Sequence, residues 1–278
     1  MLGNNSKLVF PFNVNEACQE IRDFVAAMEK HGVRRNFDQS FKLRKGQLLK
    51  NRFLSQIAST DMSRESLLGL CRDLRMPDNC LRVLEKNLEG INGIGFAYEE
   101  ENGNFIYKVY LEYWAKLVRE LRHKRNKFEP MVLHIGYKWM PGAIEGTVDD
   151  YMWYPNLAPK HIVNKLHRMY SMQDQLELFD ILKSIILQAS EHLENRRFIY
   201  LEVNDNESER HSYDINLNRT NLPLQEFESQ LENIGHYFGV DIDQFHELYT
   251  RLKLKRFSHI AGGVNRSGEE FITVYLEP

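Results

Sequence analysis

The sequence lacks long apolar runs, paired cysteines and an excess of charge of one sign. No apolar stretch approaches the roughly 20 residues of a transmembrane helix, and residues 1–11 have no apolar core typical of a signal peptide. The net charge is −3, so composition gives no argument for nucleic acid or an anionic membrane as a partner. Three cysteines without CxxC spacing predict free, buried thiols. We therefore expect a cytoplasmic protein with no membrane segment and no bound nucleic acid.

The motifs of several enzyme classes are missing as well. The sequence contains no HExxH, GxGxxG, Walker A or GxSxG pattern, which argues against a zinc peptidase, a dinucleotide or P-loop site and a nucleophile elbow. Asp149 and Asp150 could ligate Mg²⁺ on a diphosphate. Adjacent strand residues point to opposite faces, so at most one of them faces inward, and a solvated pair is the alternative. Metal ligands are therefore not assigned, and Mg²⁺ stays open as a cofactor.

Apolar residues at helical spacing dominate the first third of the chain. Ser63, followed by Glu65 and Ser66, is a typical helix start. We expect residues 1–90 to be mainly helical. The predicted helices of this part are 14–30, 42–58, 63–74 and 78–88.

From about residue 91 onward, β-hairpins alternate with helices, and the later units follow an ααββ order with a period of roughly 60 residues. No Pro-, Gly- or Ser-rich linker interrupts the chain, so we expect residues 1–278 to form a single domain, with the repeated units in 91–278. The predicted hairpins pair 91–100 with 105–112, 131–139 with 144–154, 197–203 with 212–218, and 257–264 with 270–277. The predicted helices between them are 113–127, 159–170, 174–194, 223–238 and 241–252.

The strand 105–112 has two distinct faces when it is read with period two. One face is apolar and would pack under helices, and the other is polar and aromatic. If the sheet stays open, the polar face is solvated, and if it closes, that face lines an interior. The apolar face consists of Tyr107, Val109 and Leu111. The polar faces of all hairpins together carry Lys108, Tyr110, Glu112, His134, Gly136, Lys138, Tyr200, Glu202, Ser212, Asp214, Asn216, Thr273, Tyr275 and Glu277.

The ααββ order and the strand Lys108-Val109-Tyr110 resemble the aromatic prenyltransferases of the ABBA, or PT-barrel, class. The resemblance covers residues from about 90 to the end. It implies ten antiparallel strands in a barrel ringed by helices, with an allylic diphosphate inside, held and shielded by Lys-x-Tyr strands. The sequence shows four hairpins, and Tyr137-Lys138 offers a pair similar to a second Lys-x-Tyr. A fifth hairpin could lie in the N-terminal third, for instance at residues 7–12. The expected fold is an α/β antiparallel barrel, or strongly curved sheet, ringed by helices.

This resemblance, with the chemistry of allylic ionisation, implies roles for the polar-face residues. Cations would bind the diphosphate leaving group, π faces would shield the allyl cation, and a carboxylate would take the proton of an aromatic or peptide acceptor. The diphosphate residues would be Lys108 and Lys138, the shield Tyr110, Tyr200 and Tyr275, the base Glu202 or Asp214, and further cavity residues His134 and Asn216.

Other functions remain open at this stage. The same fold could be a non-catalytic barrel that binds a small aromatic ligand or a protein partner. It could also be another enzyme class that uses the inward acids and His134 on a peptide or cofactor. The basic run 119–127, flanked by Trp114 and Phe128, could contact RNA or a phosphate. A solvated helix face whose cations match the helix dipole is the favoured interpretation of that run.

Overall fold

The computed structural model describes residues 18–33, 37–101, 103–172, 175–193, 198–204 and 210–277. These residues form eight α-helices and eleven β-strands. The helices are α1 (Gln19–Lys30), α2 (Arg64–Asp73), α3 (Asp78–Lys86), α4 (Trp114–His123), α5 (Pro159–Ser171), α6 (Leu176–Glu191), α7 (Glu228–Tyr237) and α8 (Ile242–Leu252). The strands are β1 (Asp38–Arg44), β2 (Gln47–Leu49), β3 (Arg52–Ala58), β4 (Gly93–Glu101), β5 (Asn104–Glu112), β6 (Met131–Trp139), β7 (Thr147–Trp153), β8 (Ile199–Asn204), β9 (His211–Asn216), β10 (Phe257–Val264) and β11 (Glu270–Leu276).

The strands form one antiparallel sheet, which closes on itself. Its order is β11-β10-β9-β8-β7-β6-β5-β4-β3-β1-β2, and β11 also pairs with β1. The short β2 pairs antiparallel with β1, and the other ten strands make a closed barrel with helices around it. The predicted fold class is confirmed. Of the two forms that the sequence allowed, the closed barrel is the one present.

The chain divides into two compact units. The single-domain organisation stays a prediction, and each unit is described by itself. Unit one consists of Met1–Gln39, Asn51–Lys124 and Val132–Asp150, and unit two of Ser40–Lys50, Arg125–Met131 and Tyr151–Pro278.

In unit one, α1 packs on the apolar face of β5. The Phe24 ring lies 5.2 Å from the Tyr107 ring, centroid to centroid, and the Tyr107 hydroxyl donates a hydrogen bond of 2.9 Å to the Glu20 carbonyl. Val109, two residues on, is fully buried on the same face. Lys108 therefore points away from the helices, as the period-two pattern predicts. We call the sheet face that points away from the helices the inner face.

In unit two, the outer face of the sheet packs on α5 to α8 in one apolar core. The hydroxyls of Tyr170 on α5 and Tyr213 on β9 lie 3.1 Å apart inside this core. Each fully buried large apolar side chain stabilises the fold by roughly 1.5–3 kcal/mol, so this layer fixes which face of each strand is outward. Other members on the strands are Phe41, Leu43, Tyr200, Ile215, Ile260, Ile272 and Val274.

The fifth hairpin lies where the sequence analysis placed a helix. The prediction of a helix at 42–58 is wrong, because that stretch holds part of β1, β2 and β3. Gly46, in the turn between β1 and β2, has a φ of 67°, a left-handed conformation that favours glycine. Phe41 and Leu43 are buried in the core of unit two, so the period there is two and not 3.6. The alternative at residues 7–12 lies outside the described residues.

Within the described residues, the other predicted helices agree with the structure to within a few residues. Residues 14–17, 174 and 194 of the predicted helices lie outside the described residues. Ser63 caps α2 as expected, since its hydroxyl oxygen accepts a hydrogen bond of 3.1 Å from the Ser66 amide. The exception is α4, which ends at His123, so the basic run 119–127 continues beyond the helix. Cys71 and Cys80 are buried free thiols, and Cys18 is half-buried. Within the described residues, no helix is both long and apolar enough to span a membrane.

Candidate functional site

Two lysines project side by side from the inner face of unit one. Lys108 on β5 is the direct antiparallel partner of Lys138 on β6. Directly opposite residues in such a pair share a face and lie within reach of each other. The structure thus brings together the two lysines that the sequence predicts as a pair of cations.

Two buried carboxylates and an arginine complete this group. Glu99 on β4 contacts the Lys108 ammonium, and the same Oε2 lies 2.6 Å from a guanidinium nitrogen of Arg52. Lys138 Nζ lies 2.9 Å from Asp149 Oδ2. The side chains of Arg52 and Glu99 are both 5% exposed, so these charges sit where pairing strengthens and desolvation is costly. We call Arg52, Glu99, Lys108, Lys138 and Asp149 the charge cluster.

The charge cluster shifts the protonation of Lys108. Burial lowers the pKa of Lys108 to about 7; Glu99 opposes this shift, while Arg52 and Lys138 add to it. Removing an amine from water disfavours its charged form, and neighbouring cations do the same. A bound anion would supply the negative charge that favours the ammonium form. The cluster is therefore suited to binding an anionic group.

Tyr110 continues the inner face next to the cluster. Its partner on β4 is Gly95, where an added Cβ would lie 3.3 Å from the Tyr110 ring. Glycine thus lets the Tyr110 ring lie close against β4. The next inner residue, Glu112, accepts hydrogen bonds of 2.7 Å from Gln56 and 2.6 Å from Asn92. This end of the strand is a fixed polar array beside an aromatic surface.

The other candidates of unit one are His134 and the pair Asp149 and Asp150. His134 lies directly opposite Glu112, on the inner face. Asp149 pairs with Lys138. Asp150 is exposed as a residue, but partial desolvation of its carboxyl and the neighbouring Asp149 raise its pKa, and its charge contributes to a raised pKa of the buried Tyr137. The two aspartates therefore point to opposite faces, as predicted. In the described part of the chain, no group of three His, Cys, Asp or Glu is placed to hold a metal ion.

The inner face of unit two carries a polar array centred on His259. Its Nδ1 lies 2.8 Å from Asp214 Oδ1, and its Nε2 lies 3.0 Å from the Asn216 amide nitrogen. Asn216 Oδ1 accepts a bond of 3.0 Å from the Asn218 amide, which orients the side-chain amide. We therefore assign the proton of a neutral His259 to Nδ1, from the hydrogen-bond pattern. Tyr275 is the partner of His259 on β11. The predicted residues Asp214, Asn216 and Tyr275 thus surround His259, which the sequence analysis did not identify.

Tyr200 and Glu202 lie on the opposite face from these residues, and their predicted inner placement is wrong. In β9 their partners are Ile215 and Tyr213, both members of the core under the helices. Asp214 lies between those two and faces inward. One face cannot hold Glu202 together with Asp214, because directly opposite residues share a face. The pattern of each strand alone does not determine how β8 pairs with β9.

The outward cluster around Glu202 joins β8 to α5. Lys165 on α5 lies 2.9 Å from Glu202 Oε1, and the Tyr200 hydroxyl donates a bond of 2.8 Å to the same oxygen. Burial opposes ionisation of Glu202, but hydrogen bonds from Tyr154 and Lys165 hold its pKa below the usual value. The Lys165 ammonium also lies 3.8 Å from the Tyr154 ring centroid. These contacts make Glu202 a structural anion beneath the helix layer.

Arg52, Glu99 and His259 are ionisable residues of the inner face that the sequence analysis missed. Arg52 fell in the stretch assigned to a helix, and Glu99 in a run of three glutamates with no clear face. On β10, His259 shares its face with Ala261 and Gly263, which have no polar side chain, so this strand shows no polar alternation. Locating the fifth hairpin would have revealed Arg52 opposite Glu99.

No family model and no curated protein matches the sequence. Solved structures do match. AnaPT from Neosartorya fischeri is 12% identical, with a TM-score of 0.56 over 94% of this chain and 88% of that chain. NotF prenyltransferase is 13% identical, with a TM-score of 0.57 over 95% and 90%. The 6-dimethylallyltryptophan synthase from Micromonospora olivasterospora, solved with DMASPP and Trp, is 11% identical, with a TM-score of 0.56 over 87% and 81%. At these identities the likeness shows the fold, which is the PT barrel.

Proposed function

We propose that this protein transfers a prenyl group from an allylic diphosphate to an aromatic small molecule or peptide. The observation that carries the proposal is the pairing of Lys108 with Lys138 on the inner face of a closed barrel. Arg52, which contacts Glu99 beside Lys108, adds a cation that keeps its charge at any working pH. In this proposal these side chains bind the diphosphate.

The first step is ionisation of the allylic carbon–oxygen bond. The electron pair of that bond goes to the bridging oxygen of the diphosphate, and negative charge grows there. Lys108, Lys138 and Arg52 stabilise this charge, and preorganised cations in a site of low polarity do so strongly. Because the pKa of Lys108 is lowered to about 7, this amine is partly neutral near pH 7. It takes up a proton from solvent when the anionic diphosphate binds.

The second step needs a surface that stabilises the allyl cation without reacting with it. Tyr110 is two residues from Lys108 on the same strand face, with its ring held close to β4 at Gly95. An aromatic face attracts a cation through its quadrupole. Attack by the acceptor ring forms the new carbon–carbon bond and leaves one proton to be removed.

Asp214 is the proposed acceptor of that proton. His259 holds its Oδ1 at 2.8 Å, and the carboxylate lies on the inner face of unit two. Glu202, the other predicted base, is committed to Lys165 and Tyr200. We therefore assign the proton transfer to Asp214, with Asn216 and Tyr275 beside the histidine.

The structural neighbours suggest the first substrates to test. The synthase from Micromonospora olivasterospora was solved with DMASPP and Trp, and NotF with brevianamide F and DMSPP. Donors and acceptors of these classes also suit a site with cations next to an aromatic ring.

Mass spectrometry of reaction products tests the proposal. The full chain is incubated with dimethylallyl, geranyl and farnesyl diphosphate, each with a panel of indoles, phenols and aromatic peptides. We expect an acceptor whose mass increases by one prenyl unit, with equal release of pyrophosphate. Controls without acceptor measure hydrolysis alone. Binding of aromatic compounds with no prenylated product from any donor would favour the non-catalytic ligand-binding function instead.

A further inference from the structure

The charge cluster holds three cations but two carboxylates, Glu99 and Asp149. Glu99 favours the charged form of Lys108, whereas burial, Arg52 and Lys138 disfavour it. Arg52 and Lys108 contact the same oxygen of Glu99. A single carboxylate oxygen thus serves two buried cations, and a third cation stands on the neighbouring strand.

Among these cations, Lys108 is the one suited to give up a proton. The guanidinium of Arg52 stays charged in proteins. Lys138 has a buried carboxylate at 2.9 Å in Asp149, whose side chain is 2% exposed. A neutral Lys108 can still donate a hydrogen bond to Glu99. Loss of the Lys108 proton removes its repulsion with Arg52 and Lys138 and keeps the hydrogen bond to Glu99.

We infer that Lys108 is a carbonyl-reactive amine, whose Nζ forms an imine with small aldehydes or ketones that reach the inner face. Proteins make nucleophilic lysines by desolvating the amine or placing it next to another cation, and Lys108 has both features. The lowered pKa of Lys108, about 7, agrees with this arrangement. This activity is separate from prenyl transfer, although the same side chain serves in both.

The reaction balances without an oxidant or a cofactor. The lone pair of the neutral Nζ attacks the carbonyl carbon, and a carbon–nitrogen bond forms. One nitrogen proton moves to the carbonyl oxygen, with Glu99 Oε2 in contact with Nζ as the relay. Loss of one water molecule then gives the imine, which water can hydrolyse again. Tyr110 on the same strand face offers an aromatic surface for the ring of an aryl aldehyde.

Reductive trapping on the full chain tests the inference. The protein is incubated at pH 7 with 4-hydroxybenzaldehyde and sodium cyanoborohydride, which reduces an imine to a stable secondary amine. Peptide mass spectrometry then gives a labelling rate for each lysine. We expect Lys108 to be labelled at least about tenfold faster than the exposed Lys86 on α3, because only a neutral amine attacks a carbonyl.

A matched pair of variants at Lys138 separates chemistry from accessibility. Lys138→Met removes a neighbouring cation, so the pKa of Lys108 should rise and a smaller fraction of the amine should be neutral at pH 7. A rise of one full pKa unit would slow labelling roughly tenfold, and we expect a slowing of at least about threefold. Lys138→Arg keeps the charge and should leave the rate close to that of the wild type. Circular dichroism confirms that each variant is folded. If Lys138→Met does not fold, the pH profile of wild-type labelling replaces it, with a midpoint near 7 expected.

Three results would overturn the inference: labelling of Lys108 no faster than that of Lys86, equal labelling in Lys138→Met and wild type, or a pH midpoint of labelling above about 9, close to that of an ordinary lysine.

Failure of this inference is distinct from failure of the proposed function. Fast labelling in a protein that turns over no prenyl diphosphate supports the reactive amine and removes the transferase. Prenyl transfer without fast labelling supports the transferase and removes the reactive amine.

Discussion

At the scale of single residues, Lys108 is the side chain on which the proposed chemistry most depends. Lys108→Ala removes a charge-assisted contact worth about 1.5–3 kcal/mol. Steady-state kinetics should show kcat/KM falling roughly tenfold to a hundredfold or more. The matched control is Arg122→Ala, which removes an exposed cation from α4 and should change turnover very little. A Lys108→Ala variant with wild-type turnover would show that this amine does not bind the leaving group.

The lowered pKa of Lys108 predicts a pH dependence of anion binding. The ammonium form binds a diphosphate, and burial brings the pKa of Lys108 to about 7. Above that pH the amine must gain a proton on binding, so affinity should fall up to about tenfold per pH unit. Lys108→Arg keeps its charge and should lack this loss. Calorimetric titration of both proteins with pyrophosphate from pH 6 to 9 measures the difference, because protonation of the ligand itself is common to both.

That prediction would fail if the ratio of the two affinities stayed constant across the pH range. A constant ratio means that residue 108 carries the same charge throughout. The field of Arg52 and Lys138 would then be balanced by groups other than Glu99.

The opposite faces of Glu202 and Asp214 predict opposite phenotypes. Glu202→Gln weakens a half-buried ion pair with Lys165 and should lower the free energy of unfolding by about 1–2 kcal/mol, with kcat retained. Asp214→Asn keeps the shape of the inner face but removes the proposed base, and should lower kcat at least about tenfold with little loss of stability. Denaturant titration and product formation measure the two effects. Lower kcat in Glu202→Gln with normal stability would return the base to Glu202.

The residues of the site were predictable only where one strand carries its own pattern. Lys108 and Tyr110 could be assigned to the inner face because the buried Tyr107 and Val109 alternate with them. Glu202 could not, since its face depends on its pairing with Tyr213. Register is a relation between two strands, and a shift of one residue reverses every side chain.

At the scale of elements, the stability change caused by Gly46→Ala has opposite signs in the predicted helix and in the observed hairpin. In the helix predicted for 42–58, Gly46→Ala would stabilise the protein by about 0.5–1 kcal/mol. In the observed turn, Gly46 has a φ of 67° with no atom within 4 Å of an added Cβ. Alanine there should destabilise by about 1 kcal/mol, and Gly46→Asn, which tolerates this conformation, should cost less. Urea titration of the three proteins gives the sign, and stabilisation by alanine would contradict the hairpin.

Helix prediction failed at this hairpin for a physical reason. The leucines and phenylalanines of 42–58 fit a 3.6-residue period almost as well as a period of two, because three short strands present apolar residues on changing faces. Tertiary packing decides between them: Phe41 and Leu43 are buried in the core of unit two. The signal that favoured the correct structure was Lys45-Gly46, a tight turn between two apolar runs.

At the scale of the whole molecule, the alternation of hairpins and helices was predictable, and closure of the sheet was not. Each hairpin is a local structure whose turn and alternation lie within some twenty residues. Closure requires β11 to pair with β1, strands from opposite ends of the chain. The missed hairpin contains β1, so the open and the closed sheet could not be separated by pattern alone.

On the scale of the whole barrel, we propose that the cations of the inner face bind an allylic diphosphate. The most direct measurement is calorimetric binding of dimethylallyl thiolodiphosphate, which resists ionisation, so no acceptor has to be known. We predict one-to-one binding to the wild type, and affinity at least about a hundredfold lower in Lys108→Ala/Lys138→Ala, since two charge-assisted contacts are lost. No binding to the folded wild-type protein, or equal affinity in the double variant, would show that these lysines do not hold the diphosphate.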